Sequence, residues 1–300
     1  MRILLAVIAV CAGLPAHAQD IPRTPDGRPD FQGIWISGFL TQLERPDGIG
    51  DLVIPRDQEA KTIADLLEYV SEGEVYDPEA DYGALPATLL EMDGDFRSSQ
   101  IFQPADGKLP LTSLARAVMN GFSRGYDNPE VRPGTERCVD GLVNPPIGSS
   151  FLLIPVQFVQ TPDSLVMATE DADAARIVGL SGNAWPAPIR TRNGQSRGVW
   201  EGDTLVITTD RLAIPGPSGF AFRGGGTMIT ADSRVIERVS LISPDLMLYQ
   251  FTIEDPSLYS QPWLAEYVMK RVDHDLMEYA CHEANHSLVH ILTAARLGLQ

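Results

Sequence analysis

Residues able to do proton or metal chemistry stand together near the end of the chain, in the run CHEANH at 281–286. On a helix, residues four apart share a face, so His282 and His286 could both bind one zinc ion while Glu283 polarises a bound water. A zinc site needs a third ligand, and His290 lies eight residues after His282, about 12 Å along a continuous helix. Zinc held by His282 and His286 is therefore an alternative, and the main interpretation assigns no cofactor.

The same run could also act without a metal. An imidazole exchanges protons near neutral pH, so His282 and Glu283 could form a general acid/base pair at the rim or floor of a cavity, with Asn285 beside them. The plainer interpretation is a helix whose histidines form a partly exposed polar edge. Its apolar stripe would then face the core (Cys281, Ala284, Leu288, Ile291 and Ala295).

Three arginines elsewhere are candidates for contact with a substrate or ligand. Arg137 stands beside a cysteine, Arg176 follows a predicted hairpin, and Arg197 precedes a tryptophan. Each could be a polar group inside a cavity, where Arg137 or Arg176 would stabilise an oxyanion. Each could also be a surface charge or the anchor of a turn.

A tryptophan is the fourth candidate. Gly33-Ile34-Trp35 resembles the Gly-x-Trp opening of lipocalin-like barrels, in which the tryptophan closes one end of the barrel beneath a basic side chain from a late strand. Lys270 or Arg271 is expected to supply that side chain here. An eight-stranded closed sheet can hold one small ligand, so Trp35 is either a ligand contact or a residue that packs the core.

Strand patterns dominate the chain from residue 151 onwards. Short apolar segments are separated by Gly, Pro and Asp turns, at 151–160, 165–169, 198–200, 204–208, 227–230, 234–242, 246–253 and 266–272. Such spacing predicts a mainly β fold, an antiparallel barrel or sandwich of lipocalin-like type. A first strand is expected earlier, at 31–39.

Helical spacing occurs in three places. Two short helices are expected in the N-terminal part, at 57–72 and at 111–121, the second opened by Thr112 as its cap. A long C-terminal helix of about six turns is expected at 275–297, which contains neither Gly nor Pro. Residues 19–300 are predicted to form a single β-rich domain, with an extended and helical elaboration over 19–135.

The first eighteen residues have the pattern of a secretory signal peptide. Arg2 precedes an apolar stretch from Ile3 to Leu14, and cleavage is expected after Ala18. The stretch is shorter than the roughly twenty residues that span a bilayer. The protein is therefore expected to be periplasmic or secreted, without a membrane span.

Cleavage at this site would leave two cysteines, Cys138 and Cys281, because it removes Cys11. Two thiols in an oxidising compartment usually pair, so a disulfide is predicted, with two buried free thiols as the alternative. The bond would tie the segment that carries His282 to the middle of the chain.

Acidic side chains outnumber basic ones along the whole chain. Of the 23 basic residues one, Arg2, lies in the predicted signal, which leaves 22 against 40 acidic residues and a net charge of −18. This charge disfavours nucleic acid and anionic membrane surfaces as partners. The expected partner is a small-molecule ligand or substrate, and nothing in the sequence indicates an oligomeric state.

Four stretches resemble a large family of exported bacterial proteins. They are GRPDFQGIW at 27–35, SRGVWEGDTLV at 196–206, TIEDP and YSQPW within 252–263, and EYACHEAN at 278–285. The resemblance covers nearly the whole chain after the signal, and it implies export and a common architecture without a general activity.

The same resemblance singles out some site positions. His282, Glu283 and Asn285 match the family pattern, which implies that they mark the site. Members usually have Tyr or another non-histidine residue where His286 stands, which speaks against zinc. They also carry histidines between the regions of Trp185 and Trp200, where this chain has Asn183 and Gln195, so a site built on those histidines would be lost or changed here.

Three functions fit these residues. The first is an exported hydrolase, lyase or isomerase that uses His282 and Glu283 on a small apolar or aromatic molecule in a β-barrel cavity. The second is a lipocalin-type binding protein for a hydrophobic ligand, and the third is a zinc-dependent hydrolase built on 282–286. The sequence contains no Gly-x-Ser-x-Gly elbow, phosphate loop or dinucleotide fingerprint.

Overall fold

The computed structural model describes residues 20–71, 88–122, 126–129, 132, 137–138, 144–149, 155–170, 175–181, 189–213, 218–222, 225–283 and 285–299. The strands are, in chain order, β1 (Gly33–Ile36), β2 (Val53–Ile54), β3 (Glu91–Met92), β4 (Asp95–Arg97), β5 (Ile101–Gln103), β6 (Val156–Gln160), β7 (Ser164–Thr169), β8 (Ala175–Gly179), β9 (Gln195–Glu201), β10 (Thr204–Asp210), β11 (Ser218–Phe222), β12 (Gly225–Ile229), β13 (Arg234–Ser243), β14 (Leu246–Glu254) and β15 (Trp263–Val272). The α-helices are α1 (Glu59–Ser71), α2 (Ser113–Phe122) and α3 (His286–Arg296). The fold is mainly β, as the sequence predicts.

Nine of these strands close into a barrel. Neighbouring strands are hydrogen-bonded in the order β1-β6-β7-β8-β9-β10-β13-β14-β15, and β15 pairs back with β1. Each neighbouring pair is antiparallel except β8 and β9, which run parallel and pair only at Val178–Ser196 and Gly179–Arg197. Of the two predicted architectures, antiparallel barrel and sandwich, the structure shows a barrel, in which one pair of strands is parallel.

Large side chains fill the barrel interior, because every second residue of the long strands points inward. On β14 the buried residues Met247, Tyr249, Phe251 and Ile253 alternate with half-buried ones. Other fully buried side chains include those of Trp35, Phe158, Trp263 and Tyr267. The barrel is therefore a packed core, and space for a ligand has to lie at its edges.

The two ends of the barrel differ. At one end, the turn end, tight turns join β6 to β7, β9 to β10 and β13 to β14. The N-terminal arm covers this end: Arg23 donates to both carboxylate oxygens of Asp203, at 2.9 and 2.7 Å, and Phe31 stacks on Trp200 with the ring centroids 5.5 Å apart. Longer connections emerge at the opposite end, the loop end.

Trp35 and Arg271 pack together inside the turn end. Trp35 is fully buried, its indole N–H donates to the Phe31 carbonyl oxygen at 2.9 Å, and the Arg271 guanidinium lies 4.4 Å from the centre of its ring. Gly33 has a φ of +121°, and a Cβ there would lie 2.5 Å from Nη1 of Arg271. The expectation that Lys270 or Arg271 covers the tryptophan is therefore met by Arg271, whereas Lys270 is exposed.

The N-terminal part builds a small structure beside the barrel. Strands β2, β4 and β3 form a sheet, and α1 packs on it through a core of Leu40, Ile54, Leu66, Leu89 and Phe96. Helix α2 begins after Thr112, whose hydroxyl accepts a hydrogen bond from the backbone N–H of Ala115 at 3.2 Å. Both short helices and the Thr112 cap agree with the sequence prediction.

The C-terminal helix is shorter than predicted. Helix α3 starts at His286, and residues 273–283 are irregular, so the prediction of a helix over 275–297 is wrong in its first half. Asn285 explains the start, because its side-chain oxygen accepts from the backbone N–H of Leu288 at 3.4 Å and caps the helix there. No described residue of α3 is fully buried, and Leu288, Ile291 and Ala295 of the predicted apolar stripe are partly buried.

The predicted signal peptide at 1–18 lies outside the described residues. Among the residues that the structure describes, no helix combines the length and the apolar character needed to cross a bilayer.

Candidate functional site

An ion pair lies inside the barrel between Arg176 of β8 and Glu237 of β13. The two terminal nitrogens of the guanidinium each donate to one carboxylate oxygen at 2.6 Å, and the side chains are 2% and 0% exposed. Both side chains point inward because alternate residues of a strand share a face. Arg176 lies on the same face of β8 as Val178, and Glu237 lies on the same face of β13 as Val235 and Val239. Removing two charges from water is costly, and only close, two-fold hydrogen bonding of this kind offsets the cost.

Two tyrosines extend this pair into a polar cluster, which we define as Arg176, Glu237, Tyr249 and Tyr267. The Tyr249 hydroxyl donates to Glu237 and accepts the backbone N–H of Ile147 at 2.7 Å. The Tyr267 hydroxyl donates to the Ile147 carbonyl oxygen at 2.8 Å. The polar cluster thus fixes the backbone of the 144–149 segment inside the barrel.

The protonation states of the cluster follow from its burial. Burial raises the pKa of both Tyr249 and Tyr267 well above the usual range, and the Glu237 charge acts in the same direction. Burial alone would lower the pKa of Arg176, but the neighbouring Glu237 carboxylate outweighs it and raises that pKa. At neutral pH the phenols are therefore donors and the guanidinium is charged.

A cavity of about 360 Å³ opens beside Arg176, where β8 and β9 separate, and we call it the β8–β9 cavity. The first half of β8 has no strand partner on this side among the described residues, and the Asn193 amide reaches Ala175 only at 3.4 Å. Ile177 and Ile189, each about half exposed, form an apolar rim. The full lining is Ala175, Arg176, Ile177, Ile189, Thr191, Arg192, Asn193, Gly194, Gln195 and Ser196.

Several polar groups that line the β8–β9 cavity are already hydrogen-bonded within the protein, although Nε of Arg176 has no acceptor among the described residues. The Gln195 amide nitrogen donates to the Ile189 carbonyl oxygen at 2.6 Å, and the hydroxyls of Ser196 and Thr209 lie 2.8 Å apart. With two half-exposed isoleucines at its rim and much of its polar lining engaged within the protein, the cavity suits a molecule that is mainly apolar.

The predicted disulfide is present in the structure. The sulfur atoms of Cys138 and Cys281 lie 2.00 Å apart, which is bonding distance, and the bond joins positions 143 residues apart. The amide nitrogen of Asn285 lies 3.2 Å from the Cys138 sulfur. Asn285 therefore has two structural roles: it contacts the disulfide, and it caps α3.

His282 and Glu283 lie next to this disulfide on the protein surface. Both side chains are exposed, and neither lines the β8–β9 cavity. The segment leading to them reaches the loop end of the barrel, because the Met277 N–H donates to Glu170, directly after β7, at 2.8 Å. Half-buried Arg137 precedes Cys138, so Arg137, His282, Glu283 and Asn285 are grouped around one disulfide.

Two other candidates lie away from this group. Trp35 is buried at the turn end, where it packs in the core against Arg271. Arg197 points outward from β9 and forms an ion pair with Asp210 at 2.5 Å. Arg176 alone of the predicted arginines is inside the barrel, although it faces a carboxylate rather than an open oxyanion position.

The helix on which the zinc alternative was argued does not extend back to His282. His282 lies in a turn and His286 is the first residue of α3, so the two do not share a face of one continuous helix. In the described part of the chain, no three His, Cys, Asp or Glu side chains are arranged as metal ligands.

Three members of the polar cluster were not predicted as site residues: Glu237, Tyr249 and Tyr267. A signal for Glu237 exists in the sequence, since it occupies the same alternating face as Val235 and Val239 in a strand. A charged residue on the apolar face of a strand requires a buried partner. The sequence does not reveal that partner, because Arg176 is 61 residues away on a strand that does not neighbour β13.

Comparisons with family models, with curated proteins and with solved structures find no match to this chain.

Proposed function

We propose that this protein is an exported binding protein of lipocalin type, which holds a small, neutral and mainly apolar molecule in the β8–β9 cavity. The observation that carries the proposal is a cavity with an aliphatic rim, directly beside a buried charge that is already neutralised. The closed barrel, with Trp35 beneath Arg271 at its turn end, supports the lipocalin-like part of the proposal.

The charge of the site argues for a neutral ligand. Arg176 would attract an anion if it were unpaired, but both of its terminal nitrogens donate to Glu237 at 2.6 Å. Affinity then comes mainly from covering the side chains of Ile177 and Ile189, which are 50% and 53% exposed.

A neutral fluorescent probe, N-phenyl-1-naphthylamine, tests this proposal. We expect it to bind with increased fluorescence, and we expect Ile177→Asp to weaken binding by about tenfold or more, because burying an isoleucine is worth about 1.5–3 kcal/mol. Affinity is measured by fluorescence titration of the purified full chain.

Val199→Asp is the matched control, since Val199 is a 63% exposed aliphatic residue on β9 that does not line the cavity. This variant should bind the probe as the unaltered protein does. Equal loss of affinity in the two variants, or no saturable binding to the unaltered protein, would show that the β8–β9 cavity is not the site.

An exported acid/base enzyme is the second candidate. The disulfide anchors the segment of His282 and Glu283 near the loop end, where their exposed side chains can contact a substrate. His282→Gln distinguishes the two functions. If the protein only binds its ligand, this variant should bind the probe with unchanged affinity, and any turnover of a test substrate should be unaffected. A hydrolase, lyase or isomerase at this position would instead lose turnover of its substrate.

A further inference from the structure

A second cavity, of about 500 Å³, lies in the N-terminal part between α1 and the 42–49 loop. It is separate from the barrel and from the disulfide. Its lining includes Arg45, Thr62 and Lys108, together with the carboxylates of Glu44, Asp47 and Asp65.

Arg45 is a buried cation that lacks a close carboxylate partner. Its side chain is 4% exposed, one terminal nitrogen donates to the Gly50 carbonyl oxygen at 2.7 Å, and Nε has no hydrogen-bond acceptor. No ion pair joins Arg45 to a carboxylate anywhere in the part of the chain that the structure describes. Buried charges in proteins are paired, so the second cavity lacks the counter-ion that this guanidinium requires.

Two further donors face the same space. Thr62 is 8% exposed, and its hydroxyl makes no hydrogen bond with another described residue. Lys108 lies at the rim, where its ammonium group contacts Asp47 at 2.8 Å. A guanidinium, a hydroxyl and an ammonium group are a suitable set of donors for the oxygens of an anion.

The carboxylates of the cavity are engaged elsewhere. Glu44 accepts the backbone N–H of Leu109 at 2.8 Å, and Asp65 pairs with Lys61 at 2.5 Å. Asp47 is fully exposed and held by Lys108. Burial raises the pKa of Glu44, and the charges of Asp106 and Asp47 act in the same direction. The N–H of Leu109 and the charge of Lys108 act against it. The positive charge of Arg45 therefore remains without a local partner.

We propose that the second cavity binds a compact oxyanion, a carboxylate or a phosphate group, held by Arg45, Lys108 and the hydroxyl of Thr62. The site supplies the counter-charge that Arg45 lacks within the protein. This binding is independent of the ligand in the β8–β9 cavity.

Calorimetric titration of the full chain with sodium phosphate and with sodium acetate, at ionic strength held constant with sodium chloride, tests the proposal. We expect saturable binding of at least one anion, and the tighter of the two identifies phosphate or carboxylate as the recognised group. Thr62→Val and Lys108→Met should each weaken that binding by about tenfold, the usual effect of losing one hydrogen bond to a charged group.

Lys61→Met is the control, because Lys61 is an exposed lysine of α1 that does not line the cavity. It should bind the anion as the unaltered protein does. Thr62→Val and Lys108→Met leave Arg45 in place, so the test does not depend on a variant that fails to fold. Heats no larger than those of sodium chloride, or equal affinities in all variants, would overturn the proposal.

Discussion

Replacing Glu237 by Gln is expected to lower the free energy of unfolding by about 3–5 kcal/mol, the usual cost of removing one partner of a buried ion pair. The substitution keeps the shape of the side chain but leaves the Arg176 guanidinium inside the barrel without a counter-charge. It also weakens the acceptor of the Tyr249 hydroxyl, which in turn holds Ile147. Urea denaturation followed by tryptophan fluorescence measures the loss.

Glu254→Gln is the control for this prediction. Glu254 pairs with Arg234 on the outside of the barrel at 3.3 Å, where both side chains are exposed, so its loss should change the free energy of unfolding by less than about 1 kcal/mol. The double variant Arg176→Met with Glu237→Leu should regain much of the stability, because replacing a buried pair with apolar side chains is often neutral. A loss below 1 kcal/mol for Glu237→Gln would mean that water reaches the pair.

Loss of the disulfide is expected to have the second large effect. The bond between Cys138 and Cys281 closes a separation of 143 residues, for which chain entropy gives up to about 5 kcal/mol. Replacing both cysteines by Ala should therefore lower the free energy of unfolding by about 2–5 kcal/mol. Thermal unfolding monitored by circular dichroism, with and without a reducing agent, measures this change.

The reducing agent itself provides the control. It should lower the midpoint of the unaltered protein to about that of the double variant, and it should leave the double variant unchanged. The prediction would be contradicted if complete reduction left the unfolding midpoint of the unaltered protein unchanged. Since His282 and Glu283 directly follow Cys281, the same variants also show whether any activity at these residues depends on the disulfide.

Three of the stretches that resemble the exported family, at 27–35, 196–206 and 252–263, make defined structural contacts in the fold. The stretches at 27–35 and 196–206 meet at the turn end, where Arg28 lies 5.4 Å from the centre of the Trp200 ring. The stretch at 252–263 forms a turn in which Asp255 accepts from the hydroxyls of Ser233 and Ser257, at 2.5 and 2.6 Å. The observed contacts of these stretches are therefore structural ones.

The longest strands were predictable because their signal is local, whereas β8, β11 and the short strands β2 to β5 were not predicted. Alternation of apolar and polar residues is a property of each segment, so β10, β13 and β14 were found nearly at their observed bounds. The start of α3 was missed for an equally local reason. Absence of Gly and Pro permits a helix at 275–285 without requiring one, whereas Asn285 prefers to cap a helix and stops it from extending backwards.

From the sequence alone, we could predict a mainly β fold, a disulfide between Cys138 and Cys281, and a basic side chain over Trp35. Closure of the sheet is visible only in the folded chain, because β1 and β15 are more than 200 residues apart and no local pattern predicts their pairing. The same holds for the pairing of Arg176 with Glu237 inside the barrel and for the surface position of His282 and Glu283. A period of two tells which residues share a face of a strand, but the partner across the barrel depends on how every strand between them is aligned.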